Sequence, residues 1–365
     1  MTGPNDDALD GGALPGGLPP VPQDAPPATV IQVAPSNTVC VAPPVAPNSV
    51  VFTFIRAAYH RDWAAAFEAG NGLCMSDLLK GMSALDRLDL ADLMAAQSTA
   101  QVGVNMPRMQ YAAEVVNSQT VPAQAPGDLQ STGQVQDARN YVTNQPRLTI
   151  PSDLTGTLPD PNPAAPLATD ADFQATATRL GVEVAAIRAV TDVESGRPFG
   201  RDGRPTLRYE LHVFCAEVVG LLGIDQANTY KTTHPHLCQA RWHDGDRYHV
   251  GGQPSEWSLL YGAMLLRPGV EAALRSASFG SFQIVGKYFA QTGAANVSAF
   301  VSNEFVSQGN QLSDFAGLVG ARNLVGALRT RNWAQFALHY NGAGYRDNAY
   351  DTRLAAAYAR RASAH

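Results

Sequence analysis

The sequence predicts a mainly α-helical protein in which two helical regions are separated by proline-rich segments. Apolar residues recur three and four positions apart through both regions, which is the spacing of one helix face. No alternation of strands with helices and no internal repeat is evident. Eleven of the 25 prolines lie in residues 1–49, and a second proline-rich stretch covers residues 118–168.

Length and charge limit the classes of function. With 365 residues, the chain has room for two domains. Its formal net charge of -6 provides no electrostatic basis for binding nucleic acid or an anionic membrane surface. No run of about 18 apolar residues occurs, so we predict no membrane span. The first seven residues resemble no Sec signal peptide, and export would need another route.

Composition divides the chain into four parts. Residues 1–49 form a flexible segment rich in proline and glycine, and residues 50–117 are predicted to be a small helical domain. Residues 118–168 are predicted to be a proline-rich linker, and residues 169–365 a second domain. Nothing in residues 50–117 indicates a reaction, and a docking or targeting role is the expectation.

The second domain is predicted to be mainly helical. Its apolar spacing indicates seven helices, near residues 171–180, 182–194, 258–276, 297–308, 312–328, 332–340 and 351–362. The stretch from Phe199 to Tyr209 is irregular or weakly β, and residues 224–254 are predicted to be a long polar loop.

The four cysteines leave their redox state open. Three pairings are possible, and the simplest joins Cys40 to Cys74 and Cys215 to Cys238. The alternative is four reduced, buried thiols. No C-x-x-C or H-E-x-x-H motif is present, and we predict no metal and no cofactor, with a zinc site at Cys74 and His60 as the alternative.

Glu194 is the first candidate for a catalytic residue. The preceding helix has an apolar face, and Glu194 follows Val190 by four residues and Ile187 by seven, so its carboxyl projects from that face. Gly196 and Pro198 then end the helix. A carboxyl beside apolar side chains is poorly solvated as an anion, which raises its pKa as a general acid requires. The alternative is a capping or salt-bridged glutamate.

Three later segments carry further polar groups. The first contains Glu210 and His212, the second is the Ser276–Ile284 segment with Gln283, and the third ends the helix before Gly342. Each has a purely structural alternative, since a glycine can serve a turn, a tyrosine can be core and an asparagine can cap a helix.

In this order, the segments resemble the N-acetylmuramidase family of phage endolysins, within the lysozyme-like superfamily. The resemblance runs from about residue 180 to 358, about half of the chain. Its motifs are V-E-S-G-R-P-F, D-G-R-P-T-L-R-Y-E-L-H-V-F, S-A-S-F-G-S-F-Q-I-V-G, H-Y-N-G-A-G-Y and Y-D-T-R-L-A-A-A-Y. The family usually has tryptophan where Phe279 stands and F-E-R-H where this chain has Tyr209–His212.

The resemblance implies a helical lysozyme-like domain that cleaves the β-1,4 bond between N-acetylmuramic acid and N-acetylglucosamine. Glu194 would be the general acid. The second carboxylate would be Glu210, with Asp192 and Asp202 behind it, and whether the reaction retains or inverts the anomeric configuration stays open. The residues implied to bind substrate are Ser278, Phe279, Gln283, Tyr340, Asn341 and Tyr345, with Trp257 as a further stacking surface.

Two other activities fit the same residues. A lytic transglycosylase needs only one carboxylate, because the muramyl 6-hydroxyl attacks in place of water and leaves a 1,6-anhydro end. A non-catalytic glycan-binding protein is the other alternative, and an intact Glu194 argues against it.

The N-terminal region resembles a module of secreted bacterial effectors that attack peptidoglycan, including type VI secretion cargo. The resemblance lies in Asp62–Leu79, Val104–Arg108 and Ala125–Gly133. The expected partners are therefore peptidoglycan glycan strands, a secretion-apparatus component and a cognate immunity protein. The protein would be made in the cytoplasm and would act in the periplasm or cell wall, either of a target cell or, as an endolysin, of a phage host.

Overall fold

Helices account for most of the described chain. The computed structural model describes residues 45–46, 49–85, 93–94, 96, 106–118, 120–131, 133–144, 148, 150–194 and 197–363. The sheet within these residues has three strands of two or three residues each. The prediction of a mainly α-helical fold is therefore confirmed.

Within the described residues, the first region contains the helices α1 (Val50–Tyr59), α2 (Trp63–Gly72), α3 (Met75–Ala84) and α4 (Met106–Ser118). The Ser49 hydroxyl starts α1 by accepting the N–H of Phe52, and the Asp62 carboxylate caps α2 in the same way through Ala65. Apolar residues of these helices form a hydrophobic core of their own, which we call the N-terminal core. The predicted flexible segment lies largely outside the described residues.

The predicted linker contains helices. Residues 118–168 include α5 (Gly127–Ser131) and α6 (Gln134–Thr143). Leu129 and Ala138 are fully buried in the N-terminal core, so this part is packed and not extended. The expectation of a proline-rich loop is wrong here, because the apolar residues Leu129 and Ala138 pack into the N-terminal core. The proposed domain boundaries stay a proposal.

The second region contains twelve α-helices within the described residues. They are α7 (Asp170–Leu180), α8 (Val184–Glu194), α9 (Leu211–Leu222), α10 (Ile224–Thr233), α11 (Gly252–Leu265), α12 (Val270–Arg275), α13 (Phe289–Thr292), α14 (Val297–Glu304), α15 (Gln308–Ala321), α16 (Val325–Thr330), α17 (Trp333–Tyr340) and α18 (Tyr350–Ala362).

Three expectations for this region need correction. The helix predicted over 312–328 is divided into α15 and α16, with residues 322–324 between them. The helix predicted over 258–276 is divided into α11 and α12, because Pro268 cannot continue a helix. The polar loop predicted over 224–254 contains α10, in which Ala227 and Tyr230 are buried. The helix α9, which the sequence did not indicate, buries Phe214 and Val218.

The three strands form an antiparallel sheet in the order β1–β2–β3, with β1 at Leu207–Tyr209, β2 at Ala277–Phe279 and β3 at Ile284–Val285. Leu207 pairs with Phe279 and Arg208 with Ser278. Since side chains alternate along a strand, Phe279 lies on the core face and Ser278 lies on the opposite face beside Arg208.

A disulfide and a hydrogen bond join segments that are distant in the sequence. Cys215 and Cys238 form a disulfide with their Cα atoms 4.8 Å apart, which matches one of the pairings considered. Cys74 is a free, exposed thiol, so the predicted pairing of Cys74 with Cys40 is wrong, and Cys40 itself lies outside the described residues. The two regions touch where Arg61 Nη2 donates to Asn348 O at 2.7 Å. None of the described helices is long and apolar enough to cross a bilayer.

Candidate active site

Glu194 is the last residue of α8, and its side chain is almost enclosed. It is 8% exposed, behind the buried Val190 and Val193 of the same helix. Its Oε1 accepts a hydrogen bond of 2.8 Å from Nδ2 of Asn341, the residue that follows α17. The Asn341 N–H donates to Ala337 O, so the residue caps α17 and holds Glu194 at the same time. The predicted cap therefore applies to Asn341, and its role at the site stays a prediction.

Tyr340 connects α17 to the segment that joins β2 to β3. Its hydroxyl donates to Phe282 O at 2.8 Å, and its ring stacks on Phe336 with centroids 5.0 Å apart. Burial, followed by the charge of Glu194, raises the pKa of Tyr340 well above its ordinary value. The phenol is therefore neutral and commits its proton to the backbone, so it positions the turn and does not donate to substrate.

The turn Gly280–Gln283 connects β2 to β3 with two residues at positive φ. Gly280 has φ +71° and Gln283 has φ +46°. The Gly280 N–H donates to Thr206 O at 2.7 Å, which ties the turn to the segment before β1. The Gln283 amide donates to Gly280 O at 2.9 Å and to Thr206 O at 3.3 Å. Its N–H groups therefore stabilise the turn, contrary to the expectation that they face the cleft.

Three aromatic residues expected to stack on sugar are buried. Phe279 is 0% exposed, Trp257 1% and Tyr345 4%. The Phe279 ring lies between those of Trp257 and Phe300, with centroids 6.3 and 6.0 Å away. A stacking platform must present an open face, so the stacking role is wrong for all three, and Phe279 is core because its strand position faces inward. Ser278, on the other face of β2, is 4% exposed.

Glu210 follows β1 and stands at the N-terminus of α9. Its N–H donates to Ser276 O at 2.8 Å, which fixes the backbone, and its Oε2 lies 3.6 Å from Nδ1 of His212. Its side chain is 17% exposed and that of His212 is 35% exposed. Burial lowers the pKa of His212 more than the Glu210 charge raises it, and Lys287 and Arg208 lower it further. Glu210 therefore adjoins a histidine that is neutral at pH 7.

The other two carboxylates considered are engaged elsewhere. Asp192 accepts hydrogen bonds of 2.7 and 2.6 Å from the guanidinium of Arg361 on α18. It precedes Glu194 by two residues, which turns it about 200° around α8. Asp202 pairs with Arg204 within its own loop. Among the three candidates for the second carboxylate, Glu210 alone is not paired with an arginine of its own.

A polar layer lies beneath the turn, and the sequence prediction missed it. Gln311 Oε1 accepts the Ser281 N–H at 2.9 Å, while its Nε2 donates to Glu304 O at 2.9 Å and to Pro198 O at 3.3 Å. Gln308 Nε2 donates to Ser281 Oγ at 3.1 Å. One signal existed in the sequence: Gln308, Gln311 and Asp314 recur every three residues, on the side of a helix that also carries Leu312 and Phe315.

Residues 183–362 match the family model of the N-acetylmuramidases. Among solved structures, the endolysin of the Burkholderia AP3 phage is 34% identical, with 58% of this chain and 76% of that chain covered and a TM-score of 0.46. No curated protein matches the chain. The family match, with which the mainly helical fold agrees, places residues 183–362 in the N-acetylmuramidase family, glycoside hydrolases of lysozyme type that act on peptidoglycan.

Proposed function

We propose that this enzyme cleaves the β-1,4 bond between N-acetylmuramic acid and N-acetylglucosamine, with Glu194 as the general acid. The observation that carries the proposal is the hydrogen bond from Asn341 Nδ2 to Glu194 Oε1. The proposal places the acid proton on Oε2, the oxygen opposite the one that accepts from Asn341. The amide of Asn341 is neutral and orients the Glu194 carboxyl without requiring it to be an anion. The partner of Asp192, by contrast, is the charged guanidinium of Arg361.

Chemistry at Glu194 follows from this orientation. The Oε2 proton passes to the glycosidic oxygen as the bond to the anomeric carbon breaks, so the departing sugar leaves as a neutral alcohol. Positive charge then develops at the anomeric carbon and needs a carboxylate nearby. The enclosed position of Glu194 behind Val190 and Val193 keeps bulk water from competing for the proton.

Glu210 is proposed as the second carboxylate. Its place at the end of β1, with His212 neutral beside it, supports a role as base for the attacking water or as nucleophile. A base would invert the anomeric configuration and a nucleophile would retain it. The anomer released first, followed by NMR, distinguishes the two.

Product analysis tests the reaction. We expect digestion of purified peptidoglycan to yield reducing N-acetylmuramic acid ends by mass spectrometry. Products ending in 1,6-anhydromuramic acid would assign the enzyme to the transglycosylases instead. Glu210→Gln should lower turnover about 100-fold, whereas Glu271→Gln, at an exposed position on α12, serves as the matched control and should not change it. Wild-type activity in Glu210→Gln would remove Glu210 from the mechanism.

For the biological role, we propose a secreted antibacterial effector. The substrate lies outside the cytoplasm, and the Cys215–Cys238 disulfide suits an oxidising compartment. The N-terminal helices, which carry no group used in the mechanism, are proposed to dock on a secretion component. Killing of neighbouring cells in co-culture, with protection by a small gene encoded beside this one, is the expected result. Lysis only from within a phage-infected host would assign the protein to the endolysins.

A further inference from the structure

Two carboxyl groups lie together beneath the turn Gly280–Gln283. Glu304 ends α14 and is 1% exposed, and Asp314 on α15 is 6% exposed. Asn303 Nδ2 donates to Asp314 Oδ2 at 2.8 Å. Within the described residues, neither oxygen of Glu304 meets an N–H or hydroxyl donor, and its neighbour is the carboxylate of Asp314.

Two carboxyls in this arrangement hold one proton between them at neutral pH. Burial and the charge of Asp314 raise the pKa of Glu304 well above its ordinary value. Burial raises the pKa of Asp314 to about 6, against the lowering effect of the hydrogen bonds it accepts from Asn303 and Glu304. Above pH 6, Glu304 therefore donates to an ionised Asp314. The next titratable groups are Tyr340 on α17 and Arg322 near it. After burial, the charges of Glu194 and Glu304 both raise the pKa of Tyr340.

The turn rests directly on this pair. A Cβ atom at Gly280 would lie 2.0 Å from Oε2 of Glu304 and 2.7 Å from the amide carbon of Gln311, so the backbone touches the Glu304 carboxyl. Gln311 then links the Ser281 N–H, the Glu304 carbonyl and the carbonyl of Pro198, which follows Glu194 by four residues. Movement of the Glu304 carboxyl would therefore reach both the turn and the segment after Glu194.

We propose that Glu304, paired with Asp314, is a positioning residue for the peptidoglycan cleft. Its carboxyl supports the turn, the turn presents Phe282 O to the Tyr340 hydroxyl, and Tyr340 precedes Asn341, which holds Glu194. The connection to catalysis rests on the proposed function of Glu194. Support of the turn by the carboxyl pair does not depend on it.

Deprotonation of Glu304 should change the stability of the protein with pH in a direction that can be tested. Unfolded, this glutamate loses its proton near pH 4.5, whereas folded it keeps the proton to a much higher pH. The native state then binds one proton more than the unfolded state, so stability falls as pH rises above 4.5. Asp314 has the same sign between 3.8 and about 6. Once Glu304 ionises, two adjacent anions repel and displace the turn.

Glu304→Gln separates the support that this side chain gives to the turn from the loss of its proton. The amide keeps the size of the side chain and donates to Asp314, so we expect turnover at pH 7 to stay within about threefold of wild type and the loss of activity at alkaline pH to move upward. The melting temperature should rise relative to wild type as pH increases, by at least about 5 °C more at pH 8 than at pH 5. Glu271→Gln, the exposed control, should show neither change.

Two further variants complete the experiment. Glu304→Ala should lower kcat at least about tenfold with little change in KM, because the turn loses its support. Glu194→Gln should abolish turnover yet keep the wild-type dependence of melting temperature on pH, so failure of the catalytic proposal is distinguishable. A Glu304→Gln protein with the wild-type pH dependence of both melting and activity overturns the inference, whether or not Glu304→Ala folds.

Discussion

Glu194 and Glu304 are two glutamates in the same structural setting with different neighbours. Each is the last residue of a helix, α8 or α14, and each is nearly buried, at 8% and 1% exposure. Glu194 accepts from the neutral amide of Asn341, whereas Glu304 faces the carboxylate of Asp314. The first arrangement suits the proposed acid, which must release its proton, and the second retains a proton. If the proposed role of Glu194 is right, the partner of a buried glutamate distinguishes the two roles better than its position or its burial.

The largest expected effect comes from removing the proton of Glu194. Glu194→Gln keeps the shape and can still pair with Asn341, but an amide cannot protonate the glycosidic oxygen. We expect kcat on purified peptidoglycan to fall about 10³-fold while the melting temperature stays within about 2 °C. Glu304→Gln is the matched comparison, with turnover nearly retained. Equal losses in the two variants would remove the distinction between the glutamates.

Gly280→Ala tests the contact between the turn and the Glu304 carboxyl. The added methyl would collide with Oε2 of Glu304, and φ of +71° is unfavourable for alanine. Overpacking and backbone strain together should lower the free energy of unfolding by about 3 kcal/mol in urea titrations. Gly293→Ala is the control, since φ is +96° there with open space around the new methyl, and about 1 kcal/mol is expected. Equal costs at both glycines would mean that Glu304 does not bear on the turn.

Asn341→Ala tests the partner of Glu194. Loss of the hydrogen bond to Oε1 leaves the carboxyl free to rotate, and we expect kcat to fall about tenfold, equivalent to about 1.4 kcal/mol. The control is Asn332→Ala at the other end of α17, where the side chain accepts the Gln335 N–H. That change should cost about 1 kcal/mol of stability and leave kcat unaltered. If kcat falls equally in both, the amide serves only α17.

The sequence predicted the positions of Glu194 and Asn341 and missed Glu304 for a physical reason. Glu194 and Asn341 stand at helix ends, where glycine and proline signals mark the position, and the roles that the family motifs imply for them stay predictions. Glu304 and Asp314 lie in ordinary amphipathic helices, where a polar residue is expected to face solvent. The turn at Gly280 packs directly against the Glu304 carboxyl, and such packing between distant segments has no local signature in the sequence.

The sheet shows the same limit at the level of fold. Seven helical stretches could be located from apolar spacing, but strands of two or three residues are too short to display an alternation. Without the strands, Phe279 looked like an exposed aromatic in a cleft motif. Pairing of Phe279 with Leu207 and Ile284 turns its ring into the core.

Asp192 is a third carboxylate for the comparison, and its substitution has the smallest expected effect. It lies two residues from Glu194 on α8, but its partner is the guanidinium of Arg361, and the two side chains are 26% and 42% exposed. Solvent screens a pair of this exposure, so Asp192→Asn should cost at most about 1 kcal/mol in urea titrations. We expect turnover to stay within about twofold, because the pair joins α8 to α18 on the side of the helix away from Glu194. A loss of activity approaching that of Glu194→Gln would mean that Asp192 takes part in the reaction, and the partner of a carboxyl would then no longer distinguish its role.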